Sequence, residues 1–320
     1  MKKVNQRFSC FPLKKIKMKK GYLQISFSWI FAIIVGIFIL SLAVYGVVKL
    51  MKSEQITQDA KTGKELGTLL NPLETGFESG SVVSITMPVE TRIYNKCRNS
   101  GNFGTQLIQI SQKSFGKWTE TDIDVGFENK YIFSNVSEQG KKFYFFSKPF
   151  EFGFKVSDLI YMTSSENSYC FVDAPEEIAD ELSALGQKNI FVDNCSNDAT
   201  RVCFENAGCD IEVNYDAEYV KKKDGTVYFK GDALMYAGIF ANKENYECQL
   251  KRLMQRVSSL ALLYKDKAVF IKRVSCDSEL NLAGLSVAAL GLESSAGLNS
   301  VSLIAEDVGN KNEYAECKLW

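Results

Sequence analysis

The residues of this 320-residue chain that could do chemistry are cysteines, carboxylates, lysines and serines, because histidine is absent. That absence removes Ser-His-Asp and Cys-His catalysis, imidazole metal ligands and imidazole pH switching. Nine cysteines are present. Cys10 stands apart near the N-terminus; Cys97, Cys170, Cys195, Cys203, Cys209, Cys248, Cys276 and Cys317 form an even set downstream. No Cys-x-x-Cys pair occurs among them, which speaks against a zinc site or a thioredoxin-like redox site. An even set suits disulfides in an oxidising compartment. The spacing of Cys195, Cys203 and Cys209 suits local crosslinks, and Cys276 with Cys317 is the pair expected to close the C-terminal segment. Eight cysteines still allow 105 connectivities.

The carboxylates offer two weak calcium sites. Glu120, Asp122 and Asp124 project from one face if their stretch is a strand and could together hold Ca²⁺, although a solvated edge-strand face is the simpler account of the same residues. Asp193 and Asp198 flank an oxygen-rich loop after an apolar strand, where ligand loops of α/β sheets gather, although turn chemistry accounts for the same residues. Ser114-Phe115-Gly116-Lys117 matches the Ser-x-x-Lys element of penicillin-binding enzymes and Lys61-Thr62-Gly63 their Lys-Thr-Gly element, but the latter precedes it and Ser-Asp-Asn is missing. That mechanism needs the serine at a helix start, whereas Ser114 lies in strand-like sequence. No phosphate loop, dinucleotide fingerprint or nucleophile elbow is found. We therefore assign no catalytic residue, no metal and no cofactor. Asn135-Val136-Ser137 and Asn194-Cys195-Ser196 are glycosylation sequons, at Asn135 and Asn194.

The element that must position all of this is an apolar run. Ile25 to Val48 is 24 residues without a charge. As a helix it would cover roughly 36 Å against a hydrocarbon core of about 30 Å. Trp29 and Tyr45 lie near its ends, where amphipathic rings favour the interface. Eight Lys/Arg and no acid precede Gly21, so residues 1–21 should stay cytoplasmic and the remainder should be extracytoplasmic. The run is longer than a cleaved signal's core, and Val47-Val48-Lys49-Leu50 is a poor cleavage site. Across the whole chain, 38 basic and 38 acidic residues cancel, which gives no global field favouring nucleic acid.

Lys19-Lys20-Gly21 followed by Tyr22-Leu23-Gln24 and the apolar helix resembles the prepilin signal of archaeal type IV pilins. The resemblance covers about thirty residues. It implies processing after Gly21 and packing of the helix against other pilin-like subunits. Ser26 stands where bacterial pilins carry glutamate, and Gln24 comes two residues late for the archaeal pattern. The basic tail, the "QISFSWIFAII" helix and a cysteine-bearing exterior are also similar to single-span membrane proteins of archaea, which implies a location and no activity.

Downstream, residues 51–80 read as a stalk. Ile56, Ala60, Leu66, Leu69 and Leu70 recur at helical spacing, Gly63 and Gly67 weaken the helix, and Asn71-Pro72 ends it. Residues 81–150 read as strands, with alternation from Val83 to Ile93 and further strands at 106–112, 131–134 and 142–147. The aromatics of "FYFFSKPFEFGF" belong to a sheet core. Residues 151–320 mix helices and strands. "YCFVD", "PEEIADELSALG" and "NIFVD" form a strand, helix, strand crossover. Ile211 to Val220 reads as one strand, and Asp224-Gly225 as a hairpin turn. Glu244 to Lys265 forms a helix whose core stripe is Leu250, Leu253, Met254, Val257, Leu260 and Leu263, with Lys251, Arg252 and Arg256 outside. A strand is expected at 268–274 and a buried helix at 280–292.

The fold class expected is α+β: one N-terminal transmembrane helix (22–50), then a mixed, disulfide-stabilised extracytoplasmic domain. The function expected is partner binding or envelope assembly, with the bilayer and other envelope proteins as partners. A pilin-like subunit and a carboxylate-dependent exterior enzyme are the alternatives.

Overall fold

Charge-free, strongly apolar sequence with no proline favours helix throughout the N-terminal run, and the chain forms one 43-residue helix, α1 (Phe27–Leu69). The computed structural model describes residues 27–71, 82–114, 116–119, 123–204, 208–273 and 280–320. It divides into two units, Met1–Met51 and Lys52–Trp320. In the first unit the side chains of Phe27, Phe31, Ile37, Phe38 and Leu40 are exposed. This stretch is long and apolar enough to cross a membrane.

In the second unit, Asp59, Gly63, Leu66, Gly67 and Leu70 are buried. They recur at helical spacing and form the face that docks on a sheet. Gly63 lies against Val125, and a Cβ at Gly67 would collide with the Phe127 ring. The two glycines therefore do not interrupt the helix. They let it approach the sheet closely.

That sheet has seven strands. They are β1 (Val83–Arg98), β2 (Thr105–Ser114), β3 (Lys117–Trp118), β4 (Val125–Phe127), β5 (Ile132–Phe133), β6 (Ser137–Glu151) and β7 (Lys155–Ser164). The order is β3-β2-β1-β6-β7-β5, with β4 also on β2. All pairings are antiparallel except β5 with β7. The alternation of β1 loses step between Thr86 and Thr91, where the register with β6 shifts, and Val89 is exposed there. The expected boundary at 150 falls inside the β6–β7 hairpin. Of the aromatic run, Phe143 and Phe145 face the Leu66 and Leu70 side, while Phe146, Phe150, Phe152 and Phe154 face the opposite core.

The second sheet comprises β8 (Tyr169–Val172), β9 (Ile190–Val192), β10 (Thr200–Phe204), β11 (Ile211–Asn214), β12 (Tyr219–Lys222) and β13 (Gly225–Tyr228). Its order is β13-β12-β11-β10-β8-β9. β9, β8, β10 and β11 are parallel neighbours. Helix α2 (Glu176–Ala184) joins β8 to β9, with Glu176 and Glu177 in its first turn and Gly186 at φ +60° beyond its end, as the sequence predicts. The single strand expected over 211–220 is instead a hairpin. Ala217 N donates to Asn214 Oδ1 at 2.7 Å and Glu218 takes φ +53°, which reverses the chain. In the next hairpin Lys222 pairs with Gly225, so the turn is Lys223-Asp224, one residue earlier than the Asp-Gly signal suggests.

Helix α3 (Gly231–Phe240) is buried from Ala233 to Phe240, on every side, and lies between the sheets. Its Phe240 ring is 5.7 Å from Phe146 of the first sheet and 5.0 Å from Tyr169 of the second. Helices α4 (Lys243–Lys272), α5 (Leu282–Leu290) and α6 (Leu298–Tyr314) complete the body. The strand expected at 268–274 is a correction: α4 runs through it to Lys272. Leu260, Tyr264, Ala268 and Ile271 pack on the core at helical spacing.

Candidate functional site

The spacing places Arg252 on the solvent side of α4, yet its side chain is completely buried. Its Nη1 donates to the Lys130 carbonyl at 2.9 Å and to Gln249 Oε1 at 2.7 Å, its Nη2 to the Glu128 carbonyl at 2.9 Å, and its Nε to the Phe103 carbonyl at 3.2 Å. Burial pulls the guanidinium down to about 10, so it remains charged at neutral pH. Its charge is satisfied by carbonyls. Gln249 continues the network to Gln106, and Gln106 to Asn95. Asn245, Gln249 and Arg252 recur at i, i+4 and i+7. This polar stripe beside the leucine stripe is the signal a search for apolar periodicity passes over.

One end of this network opens into a cleft of about 430 Å³ at the start of α4. The disulfide Cys97–Cys248 lines it, together with Asn95, Asn242, Asn245, Lys96, Lys251 and Glu244. Asn242 is the N-cap of α4 but makes no side-chain cap bond. Asn245 is buried and donates to the Ser134 carbonyl at 3.2 Å. The Oδ1 atoms of both asparagines have no hydrogen-bond partner among the described residues. Glu247, also at this cleft, already accepts from Ser295 N at 2.8 Å and Ser295 Oγ at 2.6 Å.

Carboxylates gather elsewhere too, and each is engaged. Glu90 takes Lys113 at 2.7 Å and Gln139 at 2.8 Å, and the Lys113 bond holds it below the usual carboxylate range. Lys148 bridges Glu181 at 2.6 Å and Asp232 at 3.2 Å, with Tyr236 and Tyr215 donating to them. Glu138 is fully buried between the amides of Asn135 at 2.9 Å and Asn167 at 2.7 Å. Burial pushes it above its ordinary 4.5. These arrangements bind hydrogen-bonding groups; none presents a free carboxylate pair for proton transfer.

The sequence-predicted residues scatter. Glu120 and Asp122 lie outside the described residues, and Asp124 pairs with Lys96 at 2.9 Å. Asp193 sits at φ +56° and accepts from Asp173 N at 3.2 Å, and Asp198 is exposed. No group of three acidic, cysteine or histidine side chains suited to a metal occurs among the described residues. Ser114 and Lys117 face each other across the β2–β3 turn, so the Ser-x-x-Lys element is not helical. The Nδ2 of Asn135, which would carry a sugar, is bonded to Glu138; Asn194 is exposed. Among the described residues three bridges are formed: Cys97–Cys248, Cys170–Cys195 and Cys203–Cys209. Cys317 is disulfide-bonded, and Cys276 and Gly21 lie outside the described residues.

No protein-family model, curated protein or solved structure matches this chain.

Proposed function

We propose that this is a single-pass membrane protein, with its basic tail in the cytoplasm and its disulfide-braced body outside, acting by binding or in envelope assembly. The observation that carries the reading is α1. From Phe27 to Val48 it carries no charge and its large apolar side chains are exposed, a surface suited to lipid. The three disulfides downstream need an oxidising compartment to persist. The unoccupied amide acceptors at the Cys97–Cys248 cleft give the body a place to hold a polar ligand. The test is made on intact cells. Added protease should remove the region after Lys52, and its bridged cysteines, Cys317 among them, should react with a maleimide only after reduction. Protection until lysis, or alkylation without reductant, would overturn the reading.

A second reading, a pilin-like subunit processed after Gly21, is favoured by one observation. The apolar helix continues unbroken to Leu69, and its last turns are built into the folded body. The mass of the mature protein separates the two: a chain beginning at Tyr22 supports processing, and retention of Met1–Gly21 removes it.

A further inference from the structure

The last three turns of α4 carry apolar residues on both sides. Leu260, Tyr264, Ala268 and Ile271 face the core. On the outer side Leu262 is 46% exposed, Leu263 61%, Val269 56% and Phe270 67%. The outer face of a water-bounded helix is expected to be polar. Interleaved with these residues are Lys265, Lys267, Lys272 and Arg273, against the single acid Asp266, and all five are exposed. Lys267 reaches the carbonyl of Leu319.

We propose that this outer face is a second lipid-contact surface: Leu262, Leu263, Val269 and Phe270 enter the apolar edge of the bilayer, and Lys265 and Arg273 meet anionic headgroups. Two features favour lipid over a protein partner. Protein interfaces are depleted in lysine at their cores, whereas leucine and phenylalanine flanked by Lys and Arg are the composition of helices that lie in a membrane interface. The inference also rests on the anchor proposed above, because tethering raises the local concentration of bilayer so that a face too weak to bind alone stays engaged.

The test uses the full chain in lipid nanodiscs containing brominated acyl chains, with and without anionic lipid. Trp118→Phe and Trp320→Phe are carried throughout, in the chain called unsubstituted below as well, so that Trp29 in α1 alone reports the anchor. Phe270→Trp reports the face, at an exposed position where the change leaves packing intact. Bromolipid should quench the unsubstituted chain through Trp29, and Phe270→Trp should add a second quenched component that grows with anionic lipid. Lys265→Glu and Arg273→Glu should each weaken that component about fivefold or more. If the unsubstituted chain is quenched and the Phe270→Trp variant shows no additional quenching, the lipid face is overturned and the anchor stands. If the unsubstituted chain is not quenched, the anchor itself fails. Self-association abolished by Phe270→Glu, with no added quenching in the Phe270→Trp variant, would assign the face to a second copy and likewise overturn the proposal.

Discussion

Arg252 shows how a single polar residue can hold a fold. Replacing it with methionine keeps the stem but strands the carbonyls of Phe103, Glu128 and Lys130 in the interior. A buried acceptor left unbonded costs about 1–3 kcal/mol, so the loss should reach about 3 kcal/mol or more, read as a lower urea midpoint. Glu138 gives a pH signature. Its folded-state value lies above 4.5 because burial disfavours the anion, so the stability it contributes is full below that value. It is lost as pH rises through the raised one. As pH rises through that window, the midpoint of Glu138→Gln should gain on that of the wild type, whatever the variant's absolute stability. Neither residue stands out in the sequence. Arg252 sits among Lys251, Gln255 and Arg256, and nothing local distinguishes the one whose side chain is swallowed.

For single elements, the decisive quantity is how near two backbones approach. Alanine exceeds glycine in helix preference by about 1 kcal/mol, so Gly67→Ala should help α1 if propensity ruled. The Phe127 ring lies where the new methyl would go, and we expect the opposite: faster amide exchange over Thr62–Leu69. Gly46 has nothing within 4 Å, and Gly46→Ala should leave exchange there unchanged. The β8–α2–β9 crossover was legible because its first-turn acids and terminal glycine agreed with its apolar spacing, and the core of α4 was legible from Leu250, Leu253, Met254 and Val257, although Leu263, expected in the same stripe, faces outward. The end of α4 was not, because Val269, Phe270 and Ile271 fill both of its sides and erase the period that separates helix from strand.

At the level of the molecule, the long-range bridge matters most. Cys97–Cys248 spans 151 residues and ties β1 to the start of α4, whereas Cys203–Cys209 spans 6. Removing the first by paired Cys→Ala changes should cost about 2–5 kcal/mol, and removing the second should cost less, because loop-closure entropy grows with the chain enclosed. Paired urea curves decide it. The α+β class was legible from alternation and stripes. The two-sheet arrangement was not, because it depends on α3, ten residues without a polar face that read equally well as a buried strand.

Helix α3 serves as a party wall. The rings of Phe146 and Tyr161 rest on one side of it, and those of Tyr169 and Phe171 reach it from the other. Neither sheet can be detached without exposing this shared partition. A polypeptide cut between Ser164 and Gly231 should therefore stay soluble while Cys97–Cys248 still joins its pieces, and should give two sticky halves, each needing its counterpart, once that bridge is reduced.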